Sequence, residues 1–288
     1  MILKWSIRII ISSTLLFSCS MQSIVISQME PILDNSALAL FEESDYEFAK
    51  NALPGNLKLI EGLLKSDPEN EKLLLLASQG YAGYALGYLE DEHPDKAKLF
   101  YLRARDYALK ILRKDEAFSN AEKSGVENLK QTLSTYNRDK APALFWAGFS
   151  WAGYITLSLT EPAAIIELAE VEILMQRVEE LQPEYFYGGV YLFFGSVYGM
   201  KPGIMGGNPE KAKSYFEKSI NLTESKFLLA YIYAAKYYAA KILDEDLFDE
   251  YLQKVEESSV DVLPGAQLMN AIAKEKAAYL KSKKEELF

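Results

Sequence analysis

The chain has 288 residues, of which 49% are hydrophobic, and it carries a formal net charge of −10. Such a hydrophobic content argues against a disordered chain, and an acidic body without a basic cluster disfavours binding to nucleic acid. With a single cysteine no intramolecular disulfide can form, so burial alone must hold the fold together. The length suits one large domain or a repeat array.

The first predicted element is an N-terminal segment organised like a secretion signal. Lys4 and Arg8 supply positive charge, and residues 9–17 supply an apolar run. This run is shorter than the roughly 18 apolar residues that a membrane span needs. It therefore indicates the hydrophobic part of a signal peptide.

The signal is followed by a sequence that resembles a bacterial lipobox, Leu16-Phe17-Ser18-Cys19. We predict a signal peptide over residues 1–18, a lipid on Cys19 and a tether over residues 19–35. The lipid would anchor the chain in the cell envelope, facing the periplasm, and Ser20 favours the outer membrane. The alternative is a plain signal peptide cut elsewhere, since Phe17 is bulkier than a lipobox prefers.

Residues 36–288 are predicted to form one all-α domain. Ala, Leu, Glu and Lys recur with helical spacing from Asp45 onward, and strand signals are almost absent. Proline and glycine predict where the helices break. The predicted breaks are at Pro54-Gly55, Ser66-Asp67-Pro68, His93-Pro94, Ala141-Pro142, Glu161-Pro162, Gln182-Pro183, the Gly199 to Pro209 loop and Leu263-Pro264-Gly265.

The helices follow a pattern of large and small residues that is typical of tetratricopeptide-like helix pairs. The first-helix and second-helix positions of four copies are Leu74, Ala77, Ser78 and Tyr81 with Ala97, Tyr101 and Ala104; Leu144, Ala147, Gly148 and Trp151 with Val171, Met175 and Val178; Tyr191, Phe194, Gly195 and Tyr198 with Ala212, Phe216 and Ser219; and Ile232 and Ala235 with Phe248, Leu252 and Val255.

This pattern predicts a helical solenoid of about four degenerate repeats, with extra helices at both ends. The interval between the second helices of the first two copies leaves room for one more degenerate unit, around Ala117 to Tyr136. The alternative is an irregular helical bundle in which the matches are accidental.

Residues that carry chemistry are sparse. His93 is the single histidine, and it lies beside Pro94 in an acidic loop, where a lone histidine is typical of a solvated turn. No second histidine completes a zinc site, and no nucleophile motif or phosphate-binding loop is present. Adjacent acidic residues such as Glu179 and Glu180 do not share one helix face. The sequence predicts no enzyme, no metal site and no cofactor.

Aromatic residues are abundant, with 19 Tyr, 14 Phe and 3 Trp. Several lie on helices rich in glycine and alanine, where small residues leave room for a pocket, and most of the others are expected in the solenoid core. The residues predicted to face a ligand or a partner are Tyr81, Tyr84, Trp146, Trp151, Tyr154, Tyr187, Tyr191, Phe194 and Tyr198.

Four features give the chain a resemblance to a known family. They are the lipobox Cys19, the segment Ala49 to Leu64 with the Gly80-Tyr81-Ala82 stretch, Leu181 to Gly189 (LQPEYFYGG), and Lys201 to Ile220 (KPGIMGGNPEKAKSYFEKSI). In this order they resemble the T-component (TatT) lipoproteins associated with tripartite ATP-independent periplasmic (TRAP) transporters. The resemblance covers most of the mature chain.

The resemblance implies a helical periplasmic lipoprotein that binds the solute-binding P-component of a TRAP transporter and is not an enzyme. It also implies a homotrimer and a cavity in each protomer for an elongated, partly apolar ligand. Gly206, Gly207 and Asn208 match the family's loop motif. That loop would shape the mouth of the cavity or an interface; alternatively, it is a glycine turn that caps the next helix.

Two hypotheses for the function follow. In the first, the chain is a transporter subunit that docks the P-component and helps to hand over a ligand through an aromatic cavity. In the second, it is a general envelope scaffold that binds protein or peptide partners on a concave surface. A continuous cavity favours the first, and a fully packed core favours the second. An envelope hydrolase, a third hypothesis, would need a cleft with convergent carboxylates.

Overall fold

The computed structural model describes residues 25, 26 and 28–288, and within these residues it contains helices and no strand. Residues 28–41 form helix α1. The α-helices that follow are α2 (Tyr46–Ser66), α3 (Glu71–Tyr88), α4 (Pro94–Leu112), α5 (Glu116–Ser124), α6 (Val126–Ser134), α7 (Ala141–Thr156), α8 (Pro162–Ile166), α9 (Leu168–Leu181), α10 (Tyr185–Met200), α11 (Pro209–Leu222), α12 (Leu229–Ala234), α13 (Glu245–Glu257), α14 (Gln267–Ser282) and α15 (Lys284–Leu287). The predicted all-α class is confirmed.

Two features of the N-terminal region bear on the sequence predictions. The signal peptide and Cys19 lie outside the described residues. Helix α1 spans the boundary predicted at residue 36. It packs against the rest of the protein, since Leu33 is buried and the Phe41 ring contacts the Phe186 ring edge-on, with 6.4 Å between centroids. No helix among the described residues is long and apolar enough to cross a membrane.

Polar residues at the helix starts explain where several helices begin. Asp45, Asn70, Asn208 and Asp244 each accept a hydrogen bond at the side chain from the backbone N–H three residues later. Such a bond satisfies one of the donors that a helix leaves free at its N-terminus. These residues fix the first turns of α2, α3, α11 and α13.

The predicted break at Pro54-Gly55 is wrong, because α2 continues through both residues from Tyr46 to Ser66. A proline inside a helix costs about 3 kcal/mol because it removes one hydrogen bond and crowds the preceding turn. Pro54 is exposed, while Ala49, Leu53, Leu57 and Leu64 of α2 are buried. Burial of that apolar face outweighs the local cost. The other predicted breaks separate helices as expected.

Each of the four predicted copies corresponds to two helices that pack against each other. The pairs are α3 with α4, α7 with α9, α10 with α11, and α12 with α13. The interval around Ala117 to Tyr136 holds a further pair, α5 with α6. Helix α12 continues through a π-helical turn, Ala235–Ala239, and a short 3-10 turn, Ala240–Ile242.

Small residues set the distance between paired helices, as the pattern predicted. A Cβ added to Gly195 of α10 would lie 2.7 Å from the Phe216 ring of α11. A Cβ added to Gly148 of α7 would lie 2.6 Å from Met175 Sδ of α9. Both distances are below van der Waals contact, so a larger residue would require the Phe216 ring or the Met175 side chain to move.

A buried ion-pair cluster ties the C-terminal helix α14 to the turn between α3 and α4. Lys276 Nζ donates to Glu90 Oε1 at 2.6 Å and to Asp91 Oδ2 at 2.7 Å. Burial opposes the charge of Glu90, but the ammonium groups of Lys276 and Lys236 outweigh it and hold the pKa of Glu90 below its ordinary value. Glu90 and Lys276 therefore stay ionised across the neutral range, and their bond links residues 186 positions apart.

Replacing Lys276 with methionine is expected to destabilise the protein strongly. The substitution Lys276→Met leaves two poorly hydrated carboxylates without their main partner, which costs about 3–5 kcal/mol. Urea unfolding followed by circular dichroism measures the change. The matched control is Lys284→Met, which removes surface ion pairs with Asp249 and Glu245 and should leave the unfolding midpoint nearly unchanged. Equal losses of unfolding free energy in both variants would show that the buried Lys276 cluster stabilises the protein no more than an exposed ion pair does.

Candidate functional site

A cavity of about 350 Å³ lies between α7, α10 and the π-helical turn. Its walls are mainly apolar, and five phenylalanine rings contribute to them: Phe145, Phe149, Phe186, Phe193 and Phe227. The volume falls within the range of about 300–1,000 Å³ that small-molecule sites occupy. The cavity is therefore large enough to hold a small apolar molecule or the chain of a longer one.

The outer end of the cavity opens at a rim of exposed apolar side chains. Leu159 and Met205 line the cavity and are 52% and 58% exposed. Next in the sequence to the lining residues Ile165 and Met205, Ile166 and Ile204 are 74% and 97% exposed. These residues come from the segment between α7 and α9 and from the loop between α10 and α11. We call these four exposed residues, Leu159, Ile166, Ile204 and Met205, the mouth.

The inner end of the cavity is polar and lies against the ion-pair cluster. Glu90, Tyr101, Tyr233, Lys236 and Tyr237 line it. The Tyr101 hydroxyl donates to Glu90 Oε2 at 2.7 Å, and burial together with the charge of Glu90 raises the pKa of Tyr101 well above its ordinary value. The cavity thus runs from an exposed apolar mouth to a charged inner end.

The segment Leu181 to Gly189 makes a left-handed turn that forms part of the wall. Phe186, Tyr187 and Gly188 have φ values of 47°, 58° and 73°. For residues with a Cβ this conformation costs about 1–2 kcal/mol each, so it persists only where contacts hold it. Trp146 Nε1 donates to the Tyr185 hydroxyl at 3.0 Å, and the Tyr187 hydroxyl donates to the Gly265 carbonyl at 2.8 Å.

As a result of this turn, neighbouring rings point in different directions. Phe186 lines the cavity, and Tyr187 does not. The Tyr187 ring stacks on Phe227 with 4.8 Å between centroids. The motif that suggested the family resemblance therefore builds one side of the cavity.

The loop between α10 and α11 contains the helix-capping turn considered for Gly206, Gly207 and Asn208. Gly206 has φ of 91°, and a Cβ on Gly207 would lie 1.7 Å from the Lys201 carbonyl oxygen. Asn208 caps α11 through Lys211 N–H. The three residues shape a helix-capping turn, and the same loop brings Met205 to the mouth.

The structure places none of the nine predicted aromatic residues in the lining of the cavity. Tyr81, Trp146 and Phe194 are buried in the core. Tyr84, Trp151, Tyr154, Tyr187, Tyr191 and Tyr198 are partly buried and pack against that core. As a surface for a partner protein, the partly buried residues remain a prediction.

Helix rotation explains why these residues lie elsewhere. On α10, Gly189, Leu192, Phe193 and Ser196 face the cavity. Tyr191, Phe194 and Tyr198 lie about 100° or more away on the same helix and pack around Tyr215 of α11. The residues predicted from the sequence therefore lie on helices that contribute to the cavity, while other faces of those helices line it. Sequence analysis also missed Lys236 and Glu90, for which the sequence pattern gave no signal.

Tyr81 belongs instead to a hydrogen-bonded network around Glu61. The hydroxyls of Tyr81 and Tyr107 donate to Glu61 Oε1 at 2.7 and 3.0 Å, and Lys58 Nζ donates to Oε2 at 2.6 Å. Partial burial opposes the charge of Glu61, but these donors outweigh it and lower the pKa of Glu61 to about 2. The network connects α2, α3 and α4.

The lowered pKa of Glu61 predicts a pH-dependent contribution to stability. The contribution is fully present above the unfolded pKa, near pH 4.5, and is lost as the pH falls towards the folded value of about 2. We expect Glu61→Gln to lower the melting temperature at pH 6 and the deficit to shrink by roughly half at pH 3. Thermal unfolding of both proteins at each pH tests this, and a constant deficit would contradict it.

Substitution by alanine is expected to destabilise the protein at Gly207 and not at Gly203, although both glycines lie in the same loop. Gly207→Ala forces the backbone of the loop to move and should cost about 1–3 kcal/mol of unfolding free energy. Gly203→Ala is the control, because no atom lies within 4 Å of a Cβ at this position, and it should be close to neutral. Denaturant unfolding measures both, and a neutral Gly207→Ala would show that the loop does not need its observed path.

Comparison with known proteins gives two matches. Residues 42–288 match the model of a family described as the TRAP transporter T-component. An uncharacterized protein of Treponema pallidum (strain Nichols) is 25% identical over 263 residues, which cover 86% of this chain and 81% of that protein. The family match includes every helix that lines the cavity.

Proposed function

The chain belongs to the TRAP transporter T-component family, and from this premise we propose that it docks the solute-binding P-component over the mouth of its cavity. Membership makes it an auxiliary component of such a transporter. The observation that carries the proposal is the apolar cavity that opens at an apolar rim. Docking there would let a partly apolar ligand pass between the two proteins without entering bulk water.

The exposure of the mouth residues supports docking at this place. Ile204 is 97% exposed, and burial of such a side chain contributes about 1.5–3 kcal/mol. Contiguous exposed apolar residues are typical of binding surfaces. The role is non-enzymatic, because the transfer depends on complementary surfaces and on the shape of the cavity.

The position of the protein in the cell envelope is part of the proposal. A lipid on Cys19 would hold the domain at a membrane, with the outer membrane preferred, and the domain would face the periplasm. We also propose that the chain forms a homotrimer, as the family resemblance implies.

In the general-scaffold alternative the core would be fully packed, so the cavity supports the transporter role over it.

Substitutions at the mouth test the docking. Ile204→Asp and Met205→Asp place a charge where the partner would bury apolar surface, and each should weaken binding of the P-component at least about tenfold. The control is Phe48→Asp on α2, which is 63% exposed and belongs to a helix that does not line the cavity. It should leave binding unchanged.

Sedimentation velocity of the detergent-solubilised full chain, alone and with the P-component from the same organism, provides the readout. A trimer that gains mass on mixing supports the proposal. Absence of any complex with the unmodified chain would overturn the docking role. A complex weakened equally by Phe48→Asp would overturn the assignment of docking to the mouth.

A further inference from the structure

The inner end of the cavity contains an ammonium, that of Lys236, with which no carboxylate of the described residues is in direct contact. Two lysines, Lys201 and Lys236, line the cavity. Lys201 forms an ion pair with Glu172. In the part of the chain that the structure describes, Lys236 forms no ion pair, and its ammonium lies 5.2 Å from the centroid of the Tyr237 ring.

The carboxylates near Lys236 already have other partners. Glu90 accepts hydrogen bonds from Lys276 Nζ and from the Tyr101 hydroxyl, and Asp91 accepts one from Lys276 Nζ. An anion that entered the cavity would therefore find a cation with unused donors. A cation would be repelled by Lys236 and would have to compete with Lys276 for Glu90.

Local structure holds the Lys236 side chain at this place. Lys236 and Tyr237 belong to the π-helical turn Ala235–Ala239, and such turns occur frequently at functional sites. A second pocket of about 10 Å³ shares Glu90, Tyr233, Lys236 and Tyr237 with the main cavity. These four polar residues therefore lie together at one end, and the other charged lining residue, Lys201, is paired with Glu172.

Lys236 carries its charge at neutral pH. The proximity of Tyr237 opposes the effect of burial and, together with Glu90 and Asp91, raises the pKa of Lys236 above its ordinary value. A protonated ammonium in an apolar cavity is costly unless it is paired and hydrogen-bonded. A bound carboxylate supplies both the pair and the hydrogen bond.

We propose that the cavity binds an anionic amphiphile of the fatty-acid class, with its carboxylate on Lys236 and its alkyl chain along the phenylalanine rings towards the mouth. Tyr233 and Tyr237 line the same end and would help to hold the carboxylate. The inference rests on the proposed function, since it names the class of ligand that the transporter subunit would hold. Lys236 determines the specificity for the head group.

Binding of three probes with the same chain and different heads tests the proposal. The probes are tritiated dodecanoate, with dodecanol and dodecylamine as competitors, on the full chain in nanodiscs. Scintillation proximity reports binding after subtraction of empty nanodiscs. We expect dodecanoate to bind at least about tenfold more tightly than dodecanol, because its carboxylate forms a charge-assisted hydrogen bond with Lys236 that a neutral hydroxyl cannot form.

Lysine variants distinguish recognition of the ligand's head group from binding of its alkyl chain. Lys236→Met should remove the preference for dodecanoate while dodecanol still binds, which also shows that the cavity is intact. Lys236→Arg should keep the preference, and Lys201→Met, the control lysine at the cavity, should keep it as well.

Every other result contradicts one part of the proposal. If dodecanol binds as tightly as dodecanoate, or if Lys236→Met keeps the preference, the head-group assignment is wrong and an apolar ligand remains. If dodecylamine binds most tightly, Glu90 holds the head and the proposed charge is reversed. If no probe binds, the cavity does not hold such a ligand, whereas docking of the P-component is decided separately by the mouth variants.

Discussion

Close contact between a small residue on one helix and a large side chain on its partner is the constraint on which this fold depends. Gly148 faces Met175, and Gly195 faces Phe216, at distances that leave no room for a Cβ unless the facing side chain moves. Each contact occupies the face that α7 or α10 turns towards its second helix. The remaining faces of α7 and α10 converge on one space and line it with phenylalanine rings, which leaves a cavity of about 350 Å³.

The helix pairs could be predicted from the sequence because their signals are local. Helical spacing of apolar residues and a small residue at a fixed position depend on neighbours within a few turns. Pro54 shows the limit of such signals, since the residue breaks helices on average and here lies on the exposed side of a helix whose other face is buried. Tertiary burial outweighed the local preference.

The cavity could not be predicted residue by residue, because adjacent positions on a helix differ by about 100° in direction. Phe145 lines the cavity, whereas Trp146 beside it donates a hydrogen bond to Tyr185. The left-handed turn at Phe186 and Tyr187 changes direction again and has no signal that identifies it in advance. Aromatic content therefore indicated which helices form the site, and the packing decided which rings face it.

The charge at the inner end follows from a contact that only the folded chain creates. Lys276 of α14 reaches Glu90 and Asp91 in the turn before α4, 186 and 185 residues away. Both carboxylates bind Lys276 directly, and they act on Lys236 only through space. The ion pairs that fasten the C-terminal helix thus leave a cation available inside an apolar cavity. Stability and head-group recognition depend on the same cluster, so a change that frees Glu90 would affect both.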